Sequence, residues 1–128
     1  MFPKIEWRAI ALVMMLAGML PMAQAADEMR VSFDAAESGN FERAVSIWRT
    51  LAEKGDAQAQ FNLGLMYHSG LGMRQSEDEA VRWYHKAAEG GYPPARVYLA
   101  VGYEEGWFGL PRDRQKAYYW RGMLEDGQ

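Results

Sequence analysis

The sequence contains no cysteine among its 128 residues. A disulfide framework, thiol chemistry and the lipid-modified cysteine of a bacterial lipoprotein are therefore excluded. After residue 25, proline stands only at Pro93, Pro94 and Pro111, and no run alternates with period two, so strands have little support. The net charge is −3 at pH 7 and there is no basic run, which gives no support for a nucleic acid or an anionic membrane as a partner.

Motifs of nucleophilic and metal-dependent catalysis are also missing. Neither Ser-x-x-Lys nor Gly-x-Ser-x-Gly occurs, and the two histidines, His68 and His85, are too far apart in sequence for a His-x-x-x-His pair. The acidic run 77–79 fits the start of a helix, where the helix dipole favours negative charge, better than it fits a metal site. The sequence therefore predicts no enzyme, no cofactor and no metal.

The first 25 residues have the layout of a secretory signal peptide. Lys4 and Arg8 precede an apolar run at 9–20, and a small-residue stretch follows at 23–25. The alternative is an uncleaved membrane anchor, but the run is short against the about 20 residues that span a bilayer. Cleavage would leave a domain of residues 26–128. We expect it to be soluble and periplasmic, with no stable membrane insertion.

The remaining chain contains an internal repeat. Gly55 and Gly91 match at an offset of 36 residues, as do Tyr67 and Tyr103. Beyond the following loop the offset becomes 37, so one residue has been inserted in the later copy. A fixed period of this length indicates stacked helix pairs rather than one wound domain.

Apolar spacing and helix start signals predict an all-α chain. The predicted helices lie at roughly 28–38, 41–54, 57–69, 77–90, 94–105 and 113–126, in units at about 28–55, 56–91 and 92–127. Ser76 and Asp113 are expected to cap helices, and Gly70 and Gly72 to adopt positive φ. His85 stands among charged residues and is expected to be solvated.

Gly64 stands inside a predicted helix, where glycine costs about 1 kcal/mol relative to alanine. We expect it to let two paired helices approach closely. Ala100 occupies the matching place in the next unit. This match predicts that Gly64→Ala is nearly neutral.

Residues 57–91 resemble a Sel-one-like repeat (SLR), the longer-looped relative of the tetratricopeptide repeat. The resemblance is carried by Ala59, Leu63-Gly64, Tyr67, Gly70-x-Gly72, Ala80, Trp83-Tyr84, Ala87-Ala88 and Gly91. Residues 94–127 match well, apart from Ala100 and an enlarged loop at 107–109, and residues 28–55 resemble a half-degenerate tetratricopeptide unit. The resemblance implies an α/α right-handed superhelix, a solenoid of about three helix-turn-helix repeats, that serves as a scaffold or adaptor for other proteins.

The resemblance also implies that the first helix of each pair lines a concave, protein-binding side. The matching positions are Gln58, Phe61, Leu65 and His68, then Pro94, Val97, Val101 and Glu104. Their spacing of three and four residues places each set on one helix face. The alternative is that Phe61, Leu65 and Val101 pack against neighbouring first helices, and the sequence leaves the two open.

The last unit offers a second candidate surface, at its edge. A stacked array needs a polar cap, yet the repeat pattern leaves Trp107, Phe108, Tyr118 and Tyr119 without an assigned contact. Either Trp107 and Phe108 fold back as a cap, or a second copy or a partner completes the stack. The latter would make the protein a stabilising subunit of a cell-envelope or secretion complex. Hydrolysis of β-lactams, described for some exported SLR proteins, is disfavoured because those relatives are rich in cysteine bridges.

Overall fold

The computed structural model describes the backbone of residues 7–127 and the side chains of residues 22–127. Its helices are α1 (Trp7–Glu37), α2 (Phe41–Glu53), α3 (Ala57–Ser69), α4 (Glu77–Glu89), α5 (Pro93–Glu105) and α6 (Arg114–Glu125). The part that is described contains no strand. The predicted all-α fold is confirmed, and from α2 onward each helix boundary falls within a residue of its predicted position.

The first helix differs from the prediction, because α1 begins at Trp7 and not near residue 28. Alanine, leucine and methionine dominate the preceding segment and are strong helix formers, so the helix continues through the predicted cleavage position. Lys4 and the side chains of the apolar run lie outside the described residues. Within the described residues, no helix combines the length and the apolar character needed to cross a membrane. Cleavage and export stay predictions.

The helices stack in chain order, each one packing against its predecessor and its successor from α1 to α6. One cluster of buried side chains joins α1, α2 and α3, and a second joins α3 to α6. Ala59 and Leu63 of α3 belong to the first cluster, whereas Phe61 belongs to the second. This stacking is that of a helical-repeat superhelix, in which each unit buries its apolar faces against its neighbours.

The helix ends follow the local signals in the sequence. Ser76 accepts a hydrogen bond from the backbone N–H of Glu79 at 3.3 Å, and Asp113 caps α6 in the same way. Gly70 and Gly72 have φ of 70° and 69°. The predicted caps and the predicted positive φ angles are therefore confirmed.

Gly64 marks a close approach of α3 and α4. A Cβ at this position would lie 2.7 Å from Cε1 of Tyr84 and 3.3 Å from the backbone oxygen of Ala80. Tyr84 is fully buried, and because protein interiors are closely packed its ring could move only by displacing its neighbours. The predicted close approach is confirmed. The contact argues against the expectation that Gly64→Ala is nearly neutral, because an added methyl group would overlap the ring.

Candidate protein-binding surfaces

The residues predicted to bind a partner lie on α3 and α5, and we call them together the first-helix face. Its members are Gln58, Phe61, Leu65 and His68 on α3, with Pro94, Val97, Val101 and Glu104 on α5. Gln58, Leu65, His68, Val101 and Glu104 are half-buried and Pro94 is exposed. Val97 is 46% exposed, so the face presents an apolar side chain to solvent.

Phe61 is the exception, since it is buried in the core. Its ring lies 5.6 Å from that of Tyr84, 5.4 Å from that of Tyr92 and 5.3 Å from that of Tyr98. These rings come from α4 and from the start and middle of α5, so Phe61 fills the space among three helices. Core packing, which the sequence left as the alternative, describes the position of Phe61.

Tyr98 is the residue of this region that the sequence analysis missed. Its ring contacts Phe61 and Tyr84, and it stacks on Phe108 with centroids 4.4 Å apart and planes inclined by 21°. We call Phe61, Tyr84, Tyr92, Tyr98 and Phe108 the ring cluster. The available signal was the i, i+4 spacing of Tyr98 and Gly102, which places a large ring beside a position with no side chain.

The enlarged loop after α5 sends its two aromatic residues in different directions. Phe108 folds back onto the first-helix face, where its ring also meets that of His68 edge-on at 5.8 Å. Trp107 touches Phe108 edge-on at 6.1 Å but stays 54% exposed. Of the two rings expected to fold back together, Phe108 lies against neighbouring rings and Trp107 lies largely in solvent.

The outer edge of α6 combines exposed aromatic rings with charge. Tyr118 is 79% exposed and Tyr119 is 57% exposed. Arg121 occupies the repeat position of Tyr84, which is buried in α4, and it forms an ion pair with Glu104 of the first-helix face. A charged pair therefore stands at the edge of the array where the preceding unit has a buried ring.

Equivalent contacts connect each second helix to the next first helix. Between α2 and α3, Nη1 of Arg49 donates a hydrogen bond to the hydroxyl of Tyr67 at 3.3 Å. Between α4 and α5, Nε2 of His85 and the hydroxyl of Tyr103 share a hydrogen bond of 2.9 Å. The repeat thus places a polar contact with tyrosine at each junction.

The expectation that His85 is solvated is wrong. The side chain is half-buried, and its ring packs edge-on against that of Trp120 at 5.7 Å. Burial lowers the pKa of His85; Glu89 acts in the opposite direction and Lys116 adds to the lowering. His85 is therefore a contact between units.

The part of the chain that the structure describes contains no group of three or more metal-ligating side chains placed to hold an ion. Val97 on α5 and Tyr118 and Tyr119 on α6 expose apolar and aromatic side chains among charged residues. This arrangement is suited to contact with another macromolecule.

The family model described as Sel1 repeat matches residues 57–92 and 93–120. The mouse protein DAP3-binding cell death enhancer 1 is 43% identical over 58 residues, which are 45% of this chain and 11% of that protein. The exopolysaccharide production negative regulator of Rhizobium leguminosarum bv. viciae is 33% identical over 95 residues, covering 66% of this chain and 36% of that protein. The chain thus spans a minor part of both relatives.

A Sel1 repeat protein from Oxalobacter formigenes has a similar solved structure, with a TM-score of 0.72 and 31% sequence identity. The similarity covers 81% of this chain and 44% of that one.

Proposed function

Because the chain belongs to the Sel1 repeat family, we propose that it is an exported adaptor that binds another protein through the first-helix face of α3 and α5. The helical-repeat superhelix supports a protein-interaction scaffold, and the names of the two relatives refer to binding and to regulation. The observation that carries the proposal is the exposure of Val97, at 46%, on a face where Leu65 and Val101 are also partly accessible.

The chemistry of the face indicates the kind of segment that it accepts. Leu65, Val97 and Val101 give it an apolar centre, while His68 and Glu104 lie towards the ends of their helices. Such a face suits an amphipathic helix or an extended peptide that inserts apolar side chains between two helices. The two complete units give a short face, so we expect modest affinity for an isolated peptide.

Export is the second part of the proposal, and the layout of residues 1–25 supports it. We expect the mature protein to begin at Ala26 and to fractionate with soluble periplasmic proteins. N-terminal sequencing of the purified protein after cell fractionation tests this. Full-length protein in the cytoplasm would refute export and leave the binding surface to be tested separately.

The binding surface is tested by photocrosslinking from position 97 in living cells, followed by identification of the trapped protein. Val97→Glu with Val101→Glu should abolish the crosslinked product made from a second photocrosslinker at position 94, while circular dichroism and melting stay unchanged. Leu71→Glu is the matched control, because Leu71 is also exposed, at 40%, but lies outside the face. A folded double variant that still yields the product would contradict the proposed surface. Phe61 is unsuitable for this test because its substitution disturbs the core.

The exposed rings of Tyr118 and Tyr119 favour a second candidate function, in which the edge of α6 binds a second copy or a larger envelope complex. A photocrosslinker at position 119 separates this from the first candidate. If it traps a partner and position 97 does not, the edge is the binding surface. Concentration-dependent light scattering that is reduced by Tyr119→Glu would identify the partner as a second copy.

A further inference from the structure

The ring of Phe108 occupies a formed site on the first-helix face. One wall is Tyr98, on which the ring stacks at 4.4 Å, and another is the edge of His68 at 5.8 Å. The floor is Gly102, where a Cβ would lie 3.2 Å from Cδ2 of Phe108 and 2.6 Å from Cδ1 of Leu110. The absent side chain at Gly102 thus makes room for Leu110 and lets the Phe108 ring approach the backbone of α5.

The backbone at Phe108 is held in a conformation that phenylalanine rarely adopts. Its φ is 59°, and among the described residues it is the one non-glycine position with positive φ. Such strain persists where the surrounding contacts over-determine the conformation. Leu71 precedes Gly72 as Phe108 precedes Gly109, yet it has no positive φ and is 40% exposed. The strained, ring-filled arrangement is therefore a feature of the second loop and not of the repeat.

We propose that this site is a pocket for an aromatic side chain of a protein partner, which the chain fills with its own Phe108 when no partner is bound. The proposal rests on the proposed function, since Tyr98 lies on α5 between Val97 and Val101. An incoming ring regains the stacking on Tyr98, and the displaced Phe108 leaves its strained backbone conformation. The near-parallel stacking of the bound ring favours an aromatic ligand over an aliphatic one.

The test removes the Phe108 side chain from the site and adds a small aromatic compound as a probe. In the full chain, Phe108→Gly removes the ring and suits the positive φ. The probe is N-acetyl-phenylalaninamide, followed by NMR at Tyr98 and His68. Because self-occupancy lowers apparent affinity by the fraction of open sites, we expect Phe108→Gly to bind at least about tenfold more tightly than the native chain. Leu71→Gly is the matched control and should behave as the native chain does, and N-acetyl-leucinamide should bind Phe108→Gly more weakly.

A folded Phe108→Gly protein without saturable shifts at Tyr98 and His68 would overturn the pocket, as would equal affinity in the native chain. If Phe108→Gly does not fold, Phe108→Ala replaces it. If both variants unfold, Phe108 is a core residue and the proposal is wrong. The two proposals fail separately: probe binding at Tyr98 without any crosslink from position 97 refutes the adaptor face but keeps the pocket. A crosslink from position 97 without probe binding refutes the pocket but keeps the adaptor face.

Discussion

The second and third units follow one sequence pattern but differ where their two helices cross. In the second unit, Gly64 lies against the buried ring of Tyr84. In the third unit the matching residues are Ala100 and Arg121, and Arg121 reaches Glu104 at the exposed edge instead of filling the crossing. The glycine is therefore required by the ring opposite it, and not by the fold as such.

The loops of the two units close with the same backbone hydrogen bond but differ in the residues between. The backbone N–H of Ser76 donates to the carbonyl of Tyr67 at 2.9 Å, and that of Asp113 donates to the carbonyl of Tyr103 at 2.8 Å. Both loops thus return to the same point of the preceding helix. The inserted residue of the second loop is absorbed before this closure, where Phe108 takes its strained conformation.

Gly64→Leu should disrupt the packing of the second unit and have the largest predicted effect on stability. Overpacking against Tyr84 and the α4 backbone should lower the free energy of unfolding by about 3 kcal/mol, at the upper end for inserted core atoms. Gly64→Ala should cost about 1 kcal/mol or more for the same reason, despite the gain in helix propensity. Urea denaturation followed by circular dichroism measures both. A stabilised Gly64→Leu protein would show that α3 and α4 do not require this close approach.

The third unit suggests a control for this prediction, because there Ala100 is paired with Arg121 in the repeat position of the buried ring. In a Tyr84→Leu background the added methyl of Gly64→Ala meets no ring, so its cost should shrink or change sign. We expect a coupling energy of about 1 kcal/mol between the two substitutions, as is usual for residues in contact. Additive effects would mean that the ring is not the reason for the glycine.

Arg96 and Gln60 occupy the same repeat position and give the second prediction. The side chain of Gln60 donates one hydrogen bond, to the carbonyl of Ala52 at 3.2 Å. Arg96 donates to the carbonyl of Ala88 at 3.0 Å and also to that of Met123 at 2.6 Å, so it ties α6 to α4.

We expect Arg96→Met to cost about 2 kcal/mol and Gln60→Met about 1 kcal/mol, because bonds from a charged donor are worth more and Arg96 makes two. The midpoints and slopes of urea denaturation measure the difference. Equal costs would show that the contact of Arg96 with α6 adds nothing to stability.

Much of the fold follows from local signals, because helix spacing and caps depend on residues near in sequence. Ser76 and Asp113 start helices as predicted, and the boundaries from α2 onward are correct to within a residue. The beginning of α1 was misplaced because helix-forming residues continue upstream of the expected cleavage position. Cleavage would separate residues 1–25 from residues 26–128, and it depends on another molecule that recognises the cleavage site.

The candidate site was predicted less well, since its contacts join residues from different elements. A helical wheel placed Phe61 on the correct face but could not show that rings from α4 and α5 cover it. The stacking of Phe108 on Tyr98 depends on a loop that departs from the repeat. Departures from a repeat have no periodic signal, so the sequence located this loop without predicting where its rings lie.

The smallest predicted effect is a difference in how stability depends on pH at two junctions, that of α4 with α5 and that of α2 with α3. Burial lowers the pKa of His85 in the folded protein, with Lys116 acting in the same direction and Glu89 opposing it. The unfolded chain therefore takes up the proton first as the pH falls. The stabilising contribution of a neutral His85 is fully present above its ordinary pKa of about 6.5 and is lost as the pH falls below that value.

We expect the melting temperature of the native chain to fall between pH 7 and pH 5 by more than that of His85→Gln, which lacks the titrating ring. Arg49 holds the equivalent junction with a permanent charge and is exposed, so Arg49→His tests whether histidine alone confers the effect. A histidine at this exposed position should add little acid sensitivity, because it is solvated in both states. Identical pH profiles for the native chain and His85→Gln would mean that burial at the junction of α4 and α5 does not shift the protonation of His85 enough to affect stability.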